Sequence, residues 1–251
     1  MMTFGQYAQY YDLIYKDKDY TQECKFLEAI FKKYLKAAPR TILDLGCGTG
    51  NHMRPLLKRG YTLTGLDASP GMLKMAQKKM AQGGWDVALK HGRLESFKFN
   101  KQFDVIICMF SVIDYVWPTK KVLKTFQNVY KHLKLGGLFI FDFWHAPAVN
   151  DYYSPTRRRI FEKGGVTIKR DSTNKIFPQK KMCRVSYTCT VKDNGVKTFK
   201  EDHWLRYFEQ QEIKDLLKQS GLSVKMMCPF MHLKGTIKRN TWDVTVVAQK
   251  V

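Results

Sequence analysis

A chain of 251 residues has room for one large domain, or for a standard domain carrying an inserted piece. Hydrophobic residues at 44% and charged residues at 26% are the proportions of a chain that buries a core, which excludes a disordered protein, a collagen-like fibre and a disulfide-dense miniature. The 43 basic and 22 acidic residues give +21, a field that attracts anions, yet 32 of the basic residues are lysines scattered along the chain, so charge alone names no partner.

Glu23–Leu35 carries apolar residues at 26, 27, 30, 31, 34 and 35, a stripe with a helical period of about 3.6. Pro39 ends it. Thr41–Leu45 is a short strand that breaks into Gly46-Cys47-Gly48-Thr49-Gly50, followed by a helical His52–Lys58. Tyr61–Asp67 reads as a second strand ending in an acid. Ser69 caps the next helix, with Pro70 at its first position and Met72, Leu73, Met75, Ala76 and Met80 at helical spacing. Val87–Lys90 is a weak third strand, and Phe103–Met109 a fully apolar fourth. Val122–Leu133 reads as a helix stopped by Leu135-Gly136-Gly137, and Leu138–Phe143 as a fifth strand. This rhythm predicts an α/β fold: a doubly wound, mostly parallel sheet of seven strands with helices on both faces.

After Trp144 the texture changes. Residues 146–208 read as an antiparallel insertion within a single domain spanning 1–251, with strands at Phe161–Arg170, Met182–Val191 and Lys197–Phe208. Asp193-Asn194-Gly195 makes the turn between the last two. A helix returns at Gln210–Ser220, and strands at Ser223–Cys228 and Thr241–Gln249 close the sheet.

The glycine-rich turn carries the chemistry. Glycines at the carboxyl end of the first strand let backbone approach a ligand, and in such sheets the ligand crevice lies there. Asp44, Gly46, Cys47, Gly48 and Gly50 would face an amino-acid-bearing ligand. Asp67, ending the second strand, is placed to accept both hydroxyls of a ribose, and Ala68 and Met72 to sandwich an adenine ring. This pattern resembles the S-adenosylmethionine site of class I methyltransferases. Tyr7-Ala8-Gln9-Tyr10-Tyr11-Asp12-Leu13, Cys108-Met109-Phe110-Ser111 and Arg206-Tyr207-Phe208 further resemble the N-methyltransferases that dimethylate dTDP-linked aminodeoxysugars. The likeness is good over about residues 5–145. It implies S-adenosylmethionine as cofactor, Tyr11 over its methionyl part, and the main chain around Met109 facing it. Two departures stand out. The acid near the adenine amino group is missing from His91-Gly92-Arg93-Leu94, leaving Arg93 and the backbone of Leu94 to hold the ring. The histidine that the family tends to carry after Met-Phe-Ser is Tyr115 here.

A sulfonium methyl is already activated, so its transfer needs a nucleophile held in line; positioning supplies on the order of 7–11 kcal/mol in favourable cases. A deprotonated amine needs no dedicated base, whereas a hydroxyl does. Tyr115, Asp114 and His145 are the catalytic candidates, being on the loops after strands four and five. For the acceptor, the candidates are Tyr7, Trp144, Arg158, His203 and Arg206; guanidinium groups suit a nucleotide's phosphates.

The expected function is methyl transfer to a small-molecule amine, an aminodeoxysugar carried on a nucleotide. A basic chain also fits an RNA or DNA methyltransferase, but the Asn-Pro-Pro-Tyr, Asp-Pro-Pro-Tyr and Pro-Cys motifs of nucleic-acid enzymes are absent. The intact glycine turn and Asp67 argue against a non-catalytic cofactor-binding relative. The longest uncharged apolar stretch, near Val105–Val112, is far short of the roughly 20 residues of a membrane helix. Met1–Tyr15 is polar rather than a secretory leader. Six cysteines without CxxC or zinc spacing predict reduced thiols, no metal site and a cytoplasmic location, and a homodimer is expected.

Overall fold

The computed structural model describes residues 4–251; residues 1–3, the start of the polar opening segment, lie outside the described ones. A 3-10 turn over Gln6–Tyr10 leads into α1 (Tyr11–Ile14) and α2 (Tyr20–Tyr34), the latter capped by Asp19, whose carboxylate accepts the Gln22 N–H at 2.9 Å. Strands β1 (Thr41–Leu45), β2 (Thr62–Asp67), β3 (Ala88–His91), β4 (Phe103–Cys108) and β5 (Leu133–Trp144) then alternate with helices α3 (Met53–Lys58), α4 (Pro70–Gln82) and α5 (Thr119–His132). Helix α6 (Ala146–Tyr152) opens the inserted region, whose strands are β6 (Thr156–Lys163), β7 (Val166–Phe177), β8 (Met182–Lys192) and β9 (Val196–Arg206). Helix α7 (Gln210–Gln219) and strands β10 (Leu222–Pro229) and β11 (Asp243–Lys250) complete the chain.

The seven-stranded sheet has the order β10-β11-β5-β4-β1-β2-β3. Strands β1 to β5 run parallel, and β11 enters antiparallel against β5. Ile42 to Leu45 and Val105 to Cys108 are buried on both faces, which is why those strands read as unbroken apolar runs rather than alternating ones. One face packs Phe126 and Val129 of α5 and Leu216 and Leu217 of α7 against Phe139 and Phe141; the other packs α2 and α3 against Ile42, Val105 and Ile140. The strand order reverses between β1 and β4. The crevice outside their carboxyl ends is where a ligand of such a sheet belongs.

Strands β6 to β9 form a separate antiparallel sheet. The sequence predicts one strand over 161–170; the structure has a hairpin instead. Gly164 and Gly165, with φ of 58° and 81°, supply the left-handed turn that divides β6 from β7. Helix α6 has no counterpart in the sequence reading, and β5 starts at Leu133 rather than Leu138. The inner face of this small sheet, with Phe161, Ile168, Cys189 and Val191, packs on Tyr7 and Ile14 of the opening segment.

Candidate active site at the carboxyl edge of the sheet

The turn after β1 is built by left-handed glycines, Gly46 at φ 72°, Gly48 at 54° and Gly50 at 79°. The Gly46 and Cys47 N–H groups donate to the Leu66 carbonyl at 2.7 and 3.0 Å, tying the turn to β2. A Cβ on Gly46 would sit 2.3 Å from the Val112 side chain, whereas one on Gly48 would meet nothing within 4 Å. Gly48 therefore presents bare backbone to open space. Asp67 ends β2 beside it: one carboxylate oxygen accepts the Gly48 N–H at 2.8 Å, the other the Ser69 N–H at 2.7 Å. Each carboxylate oxygen has a second lone pair, so both retain capacity for a hydroxyl. Burial raises the Asp67 pKa against the pull of those N–H groups. Asp44 is fully enclosed, one of its oxygens has no hydrogen-bond partner, and burial pushes its pKa up to about 6.

The opening segment lies over this turn. Asp12 accepts from Thr49 Oγ1 at 2.6 Å and Asn51 Nδ2 at 3.0 Å and pairs with Lys79 at 2.8 Å; the Ser69 hydroxyl donates to the Phe4 carbonyl at 3.1 Å. The sequence reading missed Asp12, because its partners lie 37 and more residues away. Tyr11 is half-buried, with Tyr15 4.6 Å and Phe4 6.2 Å away between ring centres. Met72, Leu94, Cys47 and Met109 are buried, while Ala68 and Arg93 are exposed at the rim. After Met109 the backbone makes two left-handed steps, Phe110 at φ 69° and Ser111 at 56°. The Asp142 carboxylate holds this strained turn, accepting the Phe110 and Ser111 N–H groups at 2.7 and 2.8 Å.

The acceptor side brings together residues far apart in sequence. Tyr115 Oη lies 2.9 Å from His203 Nδ1, and His203 Nε2 lies 3.5 Å from Glu201 Oε2. Glu201 also accepts the Phe4 and Tyr7 N–H groups at 3.0 and 3.1 Å. Nε2 is buried without a hydrogen-bond partner; with Nδ1 accepting from the phenol, it carries the proton and faces the carboxylate across that longer separation. Phenol, imidazole and carboxylate thus lie in a row, with His203 2% exposed and Tyr115 half-buried. Tyr7 packs at its side, its ring stacked 5.7 Å from Tyr187.

The other expected site residues are engaged by the framework. Both ring nitrogens of His145 are taken, by the Thr241 carbonyl and the Gln210 amide at 3.2 Å each, and burial lowers its pKa. Asp114 is sealed in, accepts the Trp144 N–H at 3.0 Å, and is held well above the usual carboxylate range by burial. Trp144 packs against Trp242 and Tyr153. Arg206 is buried against Glu212 and the Thr119 hydroxyl, and Arg158 is exposed and paired with Asp171 at 2.5 Å.

Residues 42–137 match the family model described as a methyltransferase domain. The chain is 28% identical to the dTDP-3-amino-3,6-dideoxy-alpha-D-glucopyranose N,N-dimethyltransferase of Streptomyces fradiae, over 89% of this chain and 86% of that one. It is 26% identical to the dTDP-3-amino-3,4,6-trideoxy-alpha-D-glucopyranose N,N-dimethyltransferase of Streptomyces venezuelae, over 88% and 92%. Its fold matches an S-adenosylmethionine-dependent methyltransferase from Clostridium acetobutylicum with a TM-score of 0.82 at 23% identity, over 96% and 95%. This chain is an S-adenosylmethionine-dependent methyltransferase. It is related to the dTDP-aminosugar N,N-dimethyltransferases.

The residues present fit the cofactor. The unpartnered Asp44 oxygen, the open face of Gly48 and the remaining lone pairs of Asp67 are the acceptors and the bare backbone that an amino acid joined to a nucleoside requires. In the methyltransferase, Asp67 would take the ribose hydroxyls and Asp44 with the glycine turn the amino-acid end. When bound, S-adenosylmethionine supplies an electrophilic methyl group on a sulfonium sulfur. No helix among the described residues is long and apolar enough to cross a membrane, and no His, Cys, Asp or Glu cluster there is arranged to hold a metal ion.

Proposed function

We propose that this methyltransferase methylates the amino group of a small anionic acceptor, an aminodeoxysugar carried on a nucleotide. The observation that carries methyl transfer at this edge is the row Tyr115–His203–Glu201, which offers the acceptor a proton path; the choice of an amine rests on the dimethyltransferase relatives. An amine bound as its ammonium must lose a proton before its nitrogen can attack. Tyr115 Oη takes that proton while passing its own to His203 Nδ1, and Glu201 stabilises the imidazolium that forms. At 3.5 Å the His203–Glu201 contact is long for a hydrogen bond, but it becomes an ion pair once the ring is charged. The positions of Tyr7 and Tyr11 suit them to wall the acceptor and the methionyl chain. The two dimethyltransferase relatives support the choice of acceptor class.

His145, Asp114, Trp144, Arg158 and Arg206 take framework roles in this reading rather than the catalytic and substrate roles their positions suggested. All six cysteines are unpaired and buried, in keeping with a reducing, cytoplasmic setting. The expected homodimer is checked by analytical ultracentrifugation. The amine assignment is tested by offering a dTDP-aminodeoxysugar beside its hydroxyl counterpart. Turnover of the amine alone is the expected result, and equal turnover of the hydroxyl sugar would overturn it.

A further inference from the structure

The arginine run 157–159 on the edge strand β6 is divided by the pleat, because successive side chains of a strand point to opposite faces. Arg158 lies across from Asp171 and pairs with it on the outer face. Arg157 and Arg159 fall on the inner face, across from Ser172 and Arg170. Arg159 and Arg170 are thus like charges directly opposed in an antiparallel pair, an arrangement that destabilises a sheet when nothing lies between them. Arg170 is 8% exposed and its guanidinium meets phenols: Tyr7 Oη at 2.5 Å, Tyr15 Oη at 3.4 Å, and the Tyr187 ring centre at 4.8 Å. Among the described residues, none of the three inner arginines forms an ion pair. Burial and then the charges of Arg157 and Arg170 hold the Arg159 guanidinium below its ordinary value. Arg170 is the buried one of the three and Arg157 and Arg159 are exposed; a buried charge is ordinarily paired, and here the acidic partner is missing.

We infer that Arg157, Arg159 and Arg170 form an anion site on the inner face of the small sheet that takes the diphosphate of the acceptor. Guanidinium forks suit phosphate oxygens bidentately, and two of the three, Arg157 and Arg159, are exposed. The Tyr187 ring lies 4.8 Å from Arg170 and 5.0 Å from His203, and Tyr7 also joins the two, hydrogen-bonded to Arg170 and with its ring 6.0 Å from that of His203. Along these rings the acceptor would set its amine toward Tyr115 and His203 and its phosphates toward the arginines. The inference deepens the proposed function and rests on it for what hangs from the phosphates; the anion site itself stands on the arginines.

The test uses the full chain and two probes, thymidine diphosphate and inorganic pyrophosphate, in calorimetric titrations, with turnover of a dTDP-aminodeoxysugar measured beside them. The double variant Arg157→Gln/Arg159→Gln leaves the buried Arg170 in place and is expected to weaken both probes at least tenfold. Its thermal midpoint should be at or above the wild-type value, because the repulsion with Arg170 is relieved, and its affinity for S-adenosylhomocysteine should stay at the wild-type value. Arg158→Gln should bind the probes as wild type does. The inference is overturned if the wild type binds neither probe at millimolar concentration, if the double variant binds them normally, or if Arg158→Gln loses as much. Arginine-dependent diphosphate binding without turnover of any dTDP-aminodeoxysugar would leave the anion site standing and sink the proposed acceptor instead.

Discussion

Asp67→Ala is the substitution with the most direct reading. In the folded protein its carboxylate is 9% exposed and accepts the Gly48 N–H at 2.8 Å and the Ser69 N–H at 2.7 Å. Truncation removes the proposed acceptor of the ribose hydroxyls and also leaves those two donors without a partner. A hydrogen bond to a charged group is worth about 1.5–3 kcal/mol. With tenfold in affinity per 1.4 kcal/mol, loss of the ribose contact should weaken S-adenosylhomocysteine binding about 12- to 140-fold. The orphaned donors add a separate loss of about 1–3 kcal/mol in stability for each one that water does not reach, which lowers the thermal midpoint. Isothermal titration calorimetry below that midpoint separates the two effects, since the binding enthalpy of the folded fraction is read directly. A folded variant that binds within twofold of wild type would refute the ribose assignment.

The glycine turn offers a paired test. Gly46→Ala places a Cβ 2.3 Å from Val112 at φ 72° and should destabilise the protein by more than about 1 kcal/mol in urea unfolding. Gly48→Ala meets no atom within 4 Å and should lose less stability, yet it should weaken S-adenosylhomocysteine more than its stability loss explains; the reverse ranking would contradict the site. His203→Gln and Tyr115→Phe should each lower kcat by roughly 100-fold or more, the scale of general-base catalysis, with S-adenosylhomocysteine bound within twofold of wild type. An unchanged kcat in either variant would remove that residue from the proton path. Stability should also fall as pH rises. Burial lifts Asp44 and Asp142 to about 6 and Asp243, beside Asp142, to about 7. Against an unfolded value of about 3.9, the native state of the cofactor-free protein holds protons that the unfolded chain has released between about pH 4 and 7. Asp67 and Asp114, also raised by burial, act in the same sense, whereas His145, lowered by burial, opposes it as the pH rises toward the ordinary imidazole value. Urea midpoints at pH 5 and 7.5 check the sign, and a higher midpoint at pH 7.5 would contradict it.

What the sequence disclosed was mostly what short range controls. The parallel strands were legible because Ile42–Leu45 and Val105–Cys108 are buried on both faces, and the turn after β1 because left-handed backbone there requires glycine. Asp67 was legible as the residue where β2 runs out. The hairpin at Gly164-Gly165 was missed, and with it the start of β6 at Thr156. With that boundary missed, the sequence did not disclose which faces of the sheet the arginines at 157, 158 and 159 occupy. The Tyr115–His203 contact spans 88 residues and forms only when the small sheet folds back over the crevice. No local pattern announces it. His145 shows the same limit: its place after β5 suggested chemistry, but its contacts, the Thr241 carbonyl and the Gln210 amide, come from the far end of the chain and no local pattern gives them.

The central claim, an amine acceptor carried on a small anion, is tested most directly by methyl transfer to dTDP-aminodeoxysugars beside bulk tRNA and DNA at low and moderate salt. The account predicts turnover of the sugars with shallow salt dependence, because a few arginines meet one diphosphate. It is contradicted by turnover of the polymers and none of the sugars, with binding that falls on a log–log slope of about −0.7 to −0.9 per phosphate contacted.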